Sequence, residues 1–548
     1  MIAEKGSVNM EKEKQNQSVK EDELAALLHS SEIRNGEFIR YYGKATELVI
    51  PDGIVAIGEK AFAGNRTLKR VTIGGSVGVI RESAFRGCEQ LQEVLFAEGL
   101  REIGDDAFRN CHALSAVKLP ESLHIIGNAA FRNCLALTAL ELPASLIQMG
   151  AFALSGCERL EVLTLPDSLE ALRRGVFFRC KALKNLKIPE SVRRISRFAF
   201  AGCASLESLS FSEELTYIGN GAFSECESLR EFKIPPKIQF VGDAVFSCCT
   251  SLERVEIPDA VTYIGIDAFC NCRKLESIKL PSCLETIGQG AFLRCDSLKE
   301  IVIPEKVTEL AKKAFAFCSA LERVEILASP TEIEPETFHS CFALQSISLP
   351  DSVEVIGEKA FYRCISLTSV RTPRFLRILD KYAFADCRAL PSVSLPVTLK
   401  RIEDYAFAGC TKLQTVLFPD HRVSVGNAVL TGCNALNVLV LQHLPVGYRR
   451  VLDKWDVPKS AQIILYSDLR LAFLFAELTD RKASKERKQA LRQEIEGRLE
   501  KMRKRNHLST IEPLRENLRR ITQTMEAQEI LDAEAAAAAE HAEEQLEE

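Results

Sequence analysis

The 548-residue sequence is poor in tryptophan and histidine. It has one tryptophan, Trp455, and eight histidines: His29, His112, His124, His339, His421, His443, His507 and His541. These are scattered without metal-ligand spacing. No phosphate-cradling glycine loop is present; Gly74-Gly75-Ser76-Val77-Gly78 fits neither common fingerprint. No nucleophile elbow occurs either. An enzyme is therefore not expected, and no cofactor or metal is called for. Charge of one sign is lacking too: 70 Lys and Arg face 75 Asp and Glu, a net charge of −5. That balance makes neither nucleic acid nor a lipid surface the default partner. No stretch approaches the ~18 apolar residues of a membrane-spanning helix. The opening MIAEKGSVNMEKEKQNQ lacks the apolar run of a secretory leader. The expectation from these absences is a cytoplasmic chain with its 19 cysteines reduced.

What is present is a beat. Cysteines recur every 23 residues from Cys88 through Cys111, Cys134, Cys157 and onward to Cys433, with no step longer or shorter. One step before Cys88 lies Asn65, in the same local pattern. Sixteen intervals of 23 separate Asn65 from Cys433, so the repeat has 17 copies. A fixed period of this size marks a repeat architecture in which stacking, not a closed core, buries the apolar residues.

The unit read from Cys249 is C-x2-L-x2-V-x-I-P-x2-V-x2-I-G-x2-A-F-x2-C. Val255-x-Ile257 alternates with period two and predicts a strand with one buried face. Pro258 ends it. Val261 and Ile264 predict a second short extended segment on the opposite wall, followed by a short helical turn carrying Ala268 and Phe269. Only Leu154 and Leu430 interrupt the phenylalanine column. The glycine before Ala-Phe (Gly265 here) is replaced elsewhere by Arg81, Arg173, Ser196, Ala311, Glu334, Asp380 or Glu403. A positive-φ requirement would not tolerate that set, so a helix-start position is expected.

A file of cysteines invites a metal or disulfide reading. Uniform spacing of 23 is not a zinc pattern, and neither Cys248-Cys249 nor Cys270-Asn271-Cys272 supplies one. Parallel ladders also point thiols the same way, which suits disulfide torsion poorly. Cysteine is expected instead as a small buried hydrophobe.

The segments LPDSVEVIGEKAFYRC (Leu349–Cys364) and IPDAVTYIGIDAFCNC (Ile257–Cys272) resemble the BspA-like class of leucine-rich repeats. The resemblance runs from about Thr46 to Leu441. It implies a right-handed curved solenoid of parallel short strands and a non-catalytic role in binding proteins or surfaces. Several extracellular members are adhesins. The opening FIRYYGKATELVIPDG (Phe38–Gly53) resembles the capping hairpin of such arrays. The expected organisation is a leader, short helix (Glu21–His29) and cap over 1–45, a solenoid over 46–443, and a helical C-terminal region over 444–548.

With no insertion in any repeat, function is assigned to exposed columns. The position seven after each cysteine gives the candidate partner-binding residues Lys187, Lys233, Glu256, Lys279, Glu325 and Arg371. In the C-terminal region, Ser460–Leu478 is expected to be a buried helix packed on the last turn. Lys485–Arg505 and Ile511–Leu531 are expected as a helical pair or coiled-coil arm, followed by an acidic tail. Residues 481–507 hold 11 Lys and Arg against 4 Asp and Glu, which leaves nucleic acid as a further reading beside protein partners. The favoured function is a non-enzymatic scaffold that binds protein partners through the repeat surface, the C-terminal helices or both, with a bacterial surface or secreted adhesin as its alternative.

Overall fold

Each repeat folds as one coil with two strand walls joined by turns. The structure is a computed structural model that describes residues 29–418, 423–441, 448–465, 478 and 485–503. The first wall is built from strands of two to four residues such as Arg254–Glu256, in which Val255 is buried between two exposed neighbours. The second carries a two-residue strand per coil. Seventeen of these recur at 23-residue intervals, from Ala56–Ile57 to Ser424–Val425. Pairing is parallel and in register from coil to coil: Glu231 opposes Arg254, Phe232 opposes Val255 and Lys233 opposes Glu256. Parallel pairing follows because every coil runs in the same sense.

The segment carrying Ala-Phe is not helical, which corrects the short helical turn expected there. It is a chain of tight turns in which N–H groups alternate between two jobs. The N–H groups of Ser83, Phe85 and Gly87 donate to carbonyls of the next coil, Asp105, Ala107 and Arg109, at 2.7–2.8 Å. Those of Ala84, Arg86 and Cys88 close turns within their own coil. A helix sends every N–H back along its own axis and leaves none for the neighbouring coil. The geometry needs left-handed backbone twice per coil, at the residue before Ala-Phe and the residue before the cysteine. Ser83 (φ 57°) and Gly87 (φ 73°) show the pair, and it recurs to Ala428 and Gly432. Non-glycine residues fill most of these positions. Strain of about 1–3 kcal/mol each persists only where the surroundings over-determine the conformation, and the inter-coil hydrogen bonds do so here. The glycine three residues before Ala-Phe, such as Gly265, is not left-handed, and it does not start a helix. A Cβ on Gly104 would lie 2.9 Å from the Ile80 carbonyl oxygen, so glycine there permits close approach of the preceding coil.

The chain divides into two compact units. The first comprises residues 1–328 and 337–342. It opens with a hairpin, Ser31–Arg34 antiparallel to Glu37–Tyr41, whose turn is Asn35 (φ 50°) and Gly36 (φ 77°). Asn-Gly supplies two left-handed residues, as a two-residue hairpin turn requires. The hairpin therefore lies earlier than the Phe38–Gly53 segment expected. Glu37–Tyr41 then pairs with Ala56–Ile57 and covers the first edge of the second wall. Phe38 starts the aromatic ladder, 4.9 Å from Phe62. Stacked rings continue through Phe62–Phe85 at 4.7 Å, Phe246–Phe269 at 5.4 Å and Phe292–Phe315 at 5.2 Å.

The second unit comprises residues 329–336 and 343–548. It repeats the same interior, with Phe361 and Phe384 stacked at 5.0 Å. Its end is closed in two ways. The helix Tyr448–Trp455 takes the place of a further coil, since the Lys454 and Trp455 carbonyls accept the Ala428 and Leu430 N–H groups at 2.7 and 3.0 Å. Trp455 stacks on Phe418 at 5.2 Å. The strand Gln462–Leu465 pairs in parallel with Val438–Leu441. This corrects the first residues of the helix expected over Ser460–Leu478, most of the remainder lying outside the described residues: an open strand edge needs backbone partners, which a strand supplies and a packed helix does not. A helix occupies Lys485–Arg503. The leader 1–28, most of the segment Glu21–His29 expected as a helix, residues 466–477, the segment Ile511–Leu531 expected as a helix, and the acidic tail lie outside the described residues.

Candidate interaction surface

The cysteine file has a structural job. The thiols on the beat lie inside the coil, and those from Cys88 to Cys341 and from Cys387 to Cys433 face the carbonyl of the phenylalanine position one coil back. Cys88 donates to the Phe62 carbonyl at 3.1 Å, Cys111 to Phe85 at 3.2 Å and Cys249 to Phe223 at 3.1 Å. The Phe85 carbonyl also accepts the Cys88 N–H at 3.1 Å, so both of its lone pairs are used. A weak S–H donor is the smallest apolar group able to do this, because alanine lacks the proton and valine the donor. Burial pushes the Cys157 and Cys203 thiols up to about 12, far from the thiolate that reactivity requires. Asn65 fills the position in the first coil, where its Oδ1 accepts the Thr67 and Leu68 N–H groups at 3.0 and 2.9 Å. Among the described residues no cysteine is in a disulfide, and no group of three His, Cys, Asp or Glu residues is gathered around a common point.

On the first wall the sequence-derived column divides. Lys187, Lys233, Glu256, Lys279 and Glu325 are exposed, whereas Arg371 is half-buried and pairs with Asp351 at 3.5 Å. Lys233 and Glu256 approach to 3.9 Å with side chains 74% and 76% exposed, so water screens most of their attraction. Lys187, Lys279 and Glu325 make no ion pair among the described residues. The column brings only Lys233 and Glu256 together. At its end Val440 is buried.

The second wall carries what that column lacks. Its outward position reads Arg194, Tyr217, Phe240 and Tyr263 on four successive coils, with Arg194 directly opposite Tyr217 and Phe240 opposite Tyr263. The Arg194 guanidinium lies 4.4 Å from the Tyr217 ring centre, and Tyr217 meets Phe240 edge-on at 6.0 Å. Tyr263 donates its hydroxyl to Asp243 at 3.3 Å. Burial, and then the Asp243 carboxylate, raise its pKa. Burial, again followed by Asp243, raises that of Asp267. Phe240 is 39% exposed and Ile266 45% exposed. Beside the row, Arg174 and Arg132 flank the Phe152 ring at 5.5 and 5.6 Å, and Arg197 lies 5.9 Å from Phe198. Arg173, Arg174, Arg194 and Arg197 are exposed and have no carboxylate at ion-pair distance among the described residues. The 23-residue spacing of Arg194, Tyr217, Phe240 and Tyr263 is legible in the sequence, but following the other wall passes over it.

The model of the BspA type leucine rich repeat region matches residues 31–161, 124–253, 239–364 and 331–445. The chain belongs to this family. Among solved structures, a leucine-rich repeat protein from Bacteroides ovatus is 26% identical over 78% of this chain and 94% of its own, with a TM-score of 0.46. A leucine rich repeat protein of T. pallidum is 31% identical over 35% of this chain and 82% of its own, at 0.27. A leucine rich cell surface protein from Faecalibacterium prausnitzii is 21% identical over 78% and 93%, at 0.29. No curated protein matches. The BspA-type assignment overturns the cytoplasmic expectation. That family suggests surface or secreted proteins. The expectation had rested on the character of the first residues, and their lack of an apolar run carries no weight against a family assignment. Among the described residues no helix is long and apolar enough to cross a membrane.

Proposed function

We propose that this BspA-type repeat protein is a non-enzymatic binding scaffold that works at the cell surface or after secretion. Membership of the family carries the reading. Leucine-rich repeat proteins generally bind protein partners, and protein is the partner class proposed here. The build is in keeping with it: hydrogen-bonding groups of the coils are spent on one another, thiols are buried, and two strand walls turn regular columns of side chains outward. Such walls offer a rigid array at about 4.8 Å per coil, which lowers the ordering cost of binding. Sequence reasoning divides the chain at residues 45 and 443, and the proposal assigns binding to the repeat region between them. The test is protease treatment of intact cells that produce the protein. Loss of the chain from intact cells, or its recovery from the medium, supports the reading. Full protection in intact cells with loss only after lysis contradicts it.

A further inference from the structure

The arginine–aromatic row on the second wall of the first unit is a built surface with a polarity. One end is cationic: Arg174, Arg194 and Arg197 are exposed, unpaired with carboxylates, and held over rings at 4.4–5.9 Å. Stacking on a ring removes conformational freedom from guanidinium groups while leaving their donor forks open to a bidentate acceptor. The other end is apolar: Phe240 and Ile266 are 39% and 45% exposed, and Tyr217 is half-buried beside them. Exposed arginine beside part-exposed tyrosine and phenylalanine is the composition of an interface hot spot.

Resting on the protein-binding reading above, we infer that this row docks an extended segment of a partner protein, acidic at one end and aromatic or aliphatic at the other. From Arg174 to Ile266 the row crosses four coil intervals, about 19 Å at 4.8 Å each, the length of about six extended residues. Carboxylates of the segment pair with Arg174, Arg194 and Arg197, and its apolar side chains cover Tyr217, Phe240 and Ile266. A uniform polyanion such as a nucleic acid fits less well. Running along the same row it would leave the arginines and meet Asp243 and Asp267, which flank the apolar end. The same two carboxylates turn away a segment docked in the reverse direction, so the charge pattern also sets orientation.

The test is selection of a displayed random 12-residue peptide library on the full-length protein at about 0.15 M salt, where exposed charges act over about 8 Å. Enriched peptides are synthesised and their affinities measured by fluorescence anisotropy. The expected peptides carry Asp or Glu on one side of aromatic or aliphatic residues. R174E/R194E/R197E and, separately, Y217A/F240A each weaken them about tenfold or more, while K187E/K233E on the first wall leaves them unchanged. All seven positions are exposed or half-exposed, and an unshifted thermal midpoint establishes that each variant is folded. A twenty-residue oligothymidylate bound more tightly than the peptides overturns the inference in favour of a polyanion. Peptides that bind the two row variants as well as the wild type overturn it too. If those peptides are lost on K187E/K233E, the site lies on the first wall and the protein-binding reading stands. No enriched peptide at all counts against both.

Discussion

Arg194 and Arg401 occupy the same place in the repeat, nine residues before a cysteine, yet they are used differently. Arg401 in the second unit pairs with Glu403 at 2.9 Å. Its neighbours behave alike: Arg377 meets Glu354 at 3.0 Å, Arg388 meets Asp386 at 3.4 Å, and Arg371 and Arg374 share Asp351 at 3.5 and 3.6 Å. In the first unit Arg194 lies over Tyr217 with no carboxylate beside it. The interiors of the two regions are the same. The difference teaches that this scaffold separates its tasks cleanly, with buried columns setting the coil and outward columns free to vary. Arginines that already have acidic neighbours are taken up by them, within a coil as Arg401 and Arg388 are or between coils as Arg377 is, and arginines held over rings remain available to something else.

Changes to the shared interior should strike both regions alike. The largest effect is alkaline. Burial pushes the Cys157, Cys203 and Cys433 thiols up to about 12 from an ordinary value of 9.0. Between these values the folded chain keeps protons that the unfolded chain has lost. Stability therefore falls as pH rises above about 9, by up to roughly 1.4 kcal/mol per pH unit for each such thiol. A thermal midpoint as high at pH 10.5 as at pH 8 would contradict buried thiols. Next in size, Phe269→Ala in the first unit and Phe384→Ala in the second should each cost about 3–5 kcal/mol in denaturant unfolding. A loss below about 1 kcal/mol for either would remove that ring from the core. Cys249→Ala and Cys410→Ala remove one thiol hydrogen bond and little volume, so each should cost about 1–2 kcal/mol. Thiol labelling of the folded protein should spare both.

Changes to the outward columns should separate the regions. Glu354→Gln removes the partner of Arg377, and both side chains are nearly half exposed, so the unfolding free energy should move by less than about 1 kcal/mol. Tyr217→Glu would place a carboxylate beside Arg194 and give the first region the pairing of the second. The expected result is weaker binding of row-selected peptides at nearly unchanged stability, read by anisotropy and thermal unfolding.

Much of this was legible in the sequence. The strict 23-residue period and the Phe and Cys columns specify coil, register and core. The tight turns were not legible, because Ala-Phe flanked by varied residues carries no left-handed signature. Ser83, Asp106 and Phe152 adopt positive φ because the next coil demands their N–H groups. The opening hairpin was legible in Asn35-Gly36 but was placed too late. Trp455 gave no hint that a short helix would stand in for a coil, since that role lies in its backbone carbonyl. The candidate surface was half legible. Arg194, Tyr217, Phe240 and Tyr263 share the period, but whether an arginine meets a ring or a carboxylate depends on side-chain geometry between coils.

The most direct test sets one residue against its counterpart. The affinity of a row-selected peptide is measured for Arg194→Glu and for Arg401→Glu in the full-length protein. The account predicts a loss of about tenfold for Arg194→Glu and none for Arg401→Glu. Equal effects of the two, or no effect of either, would contradict it.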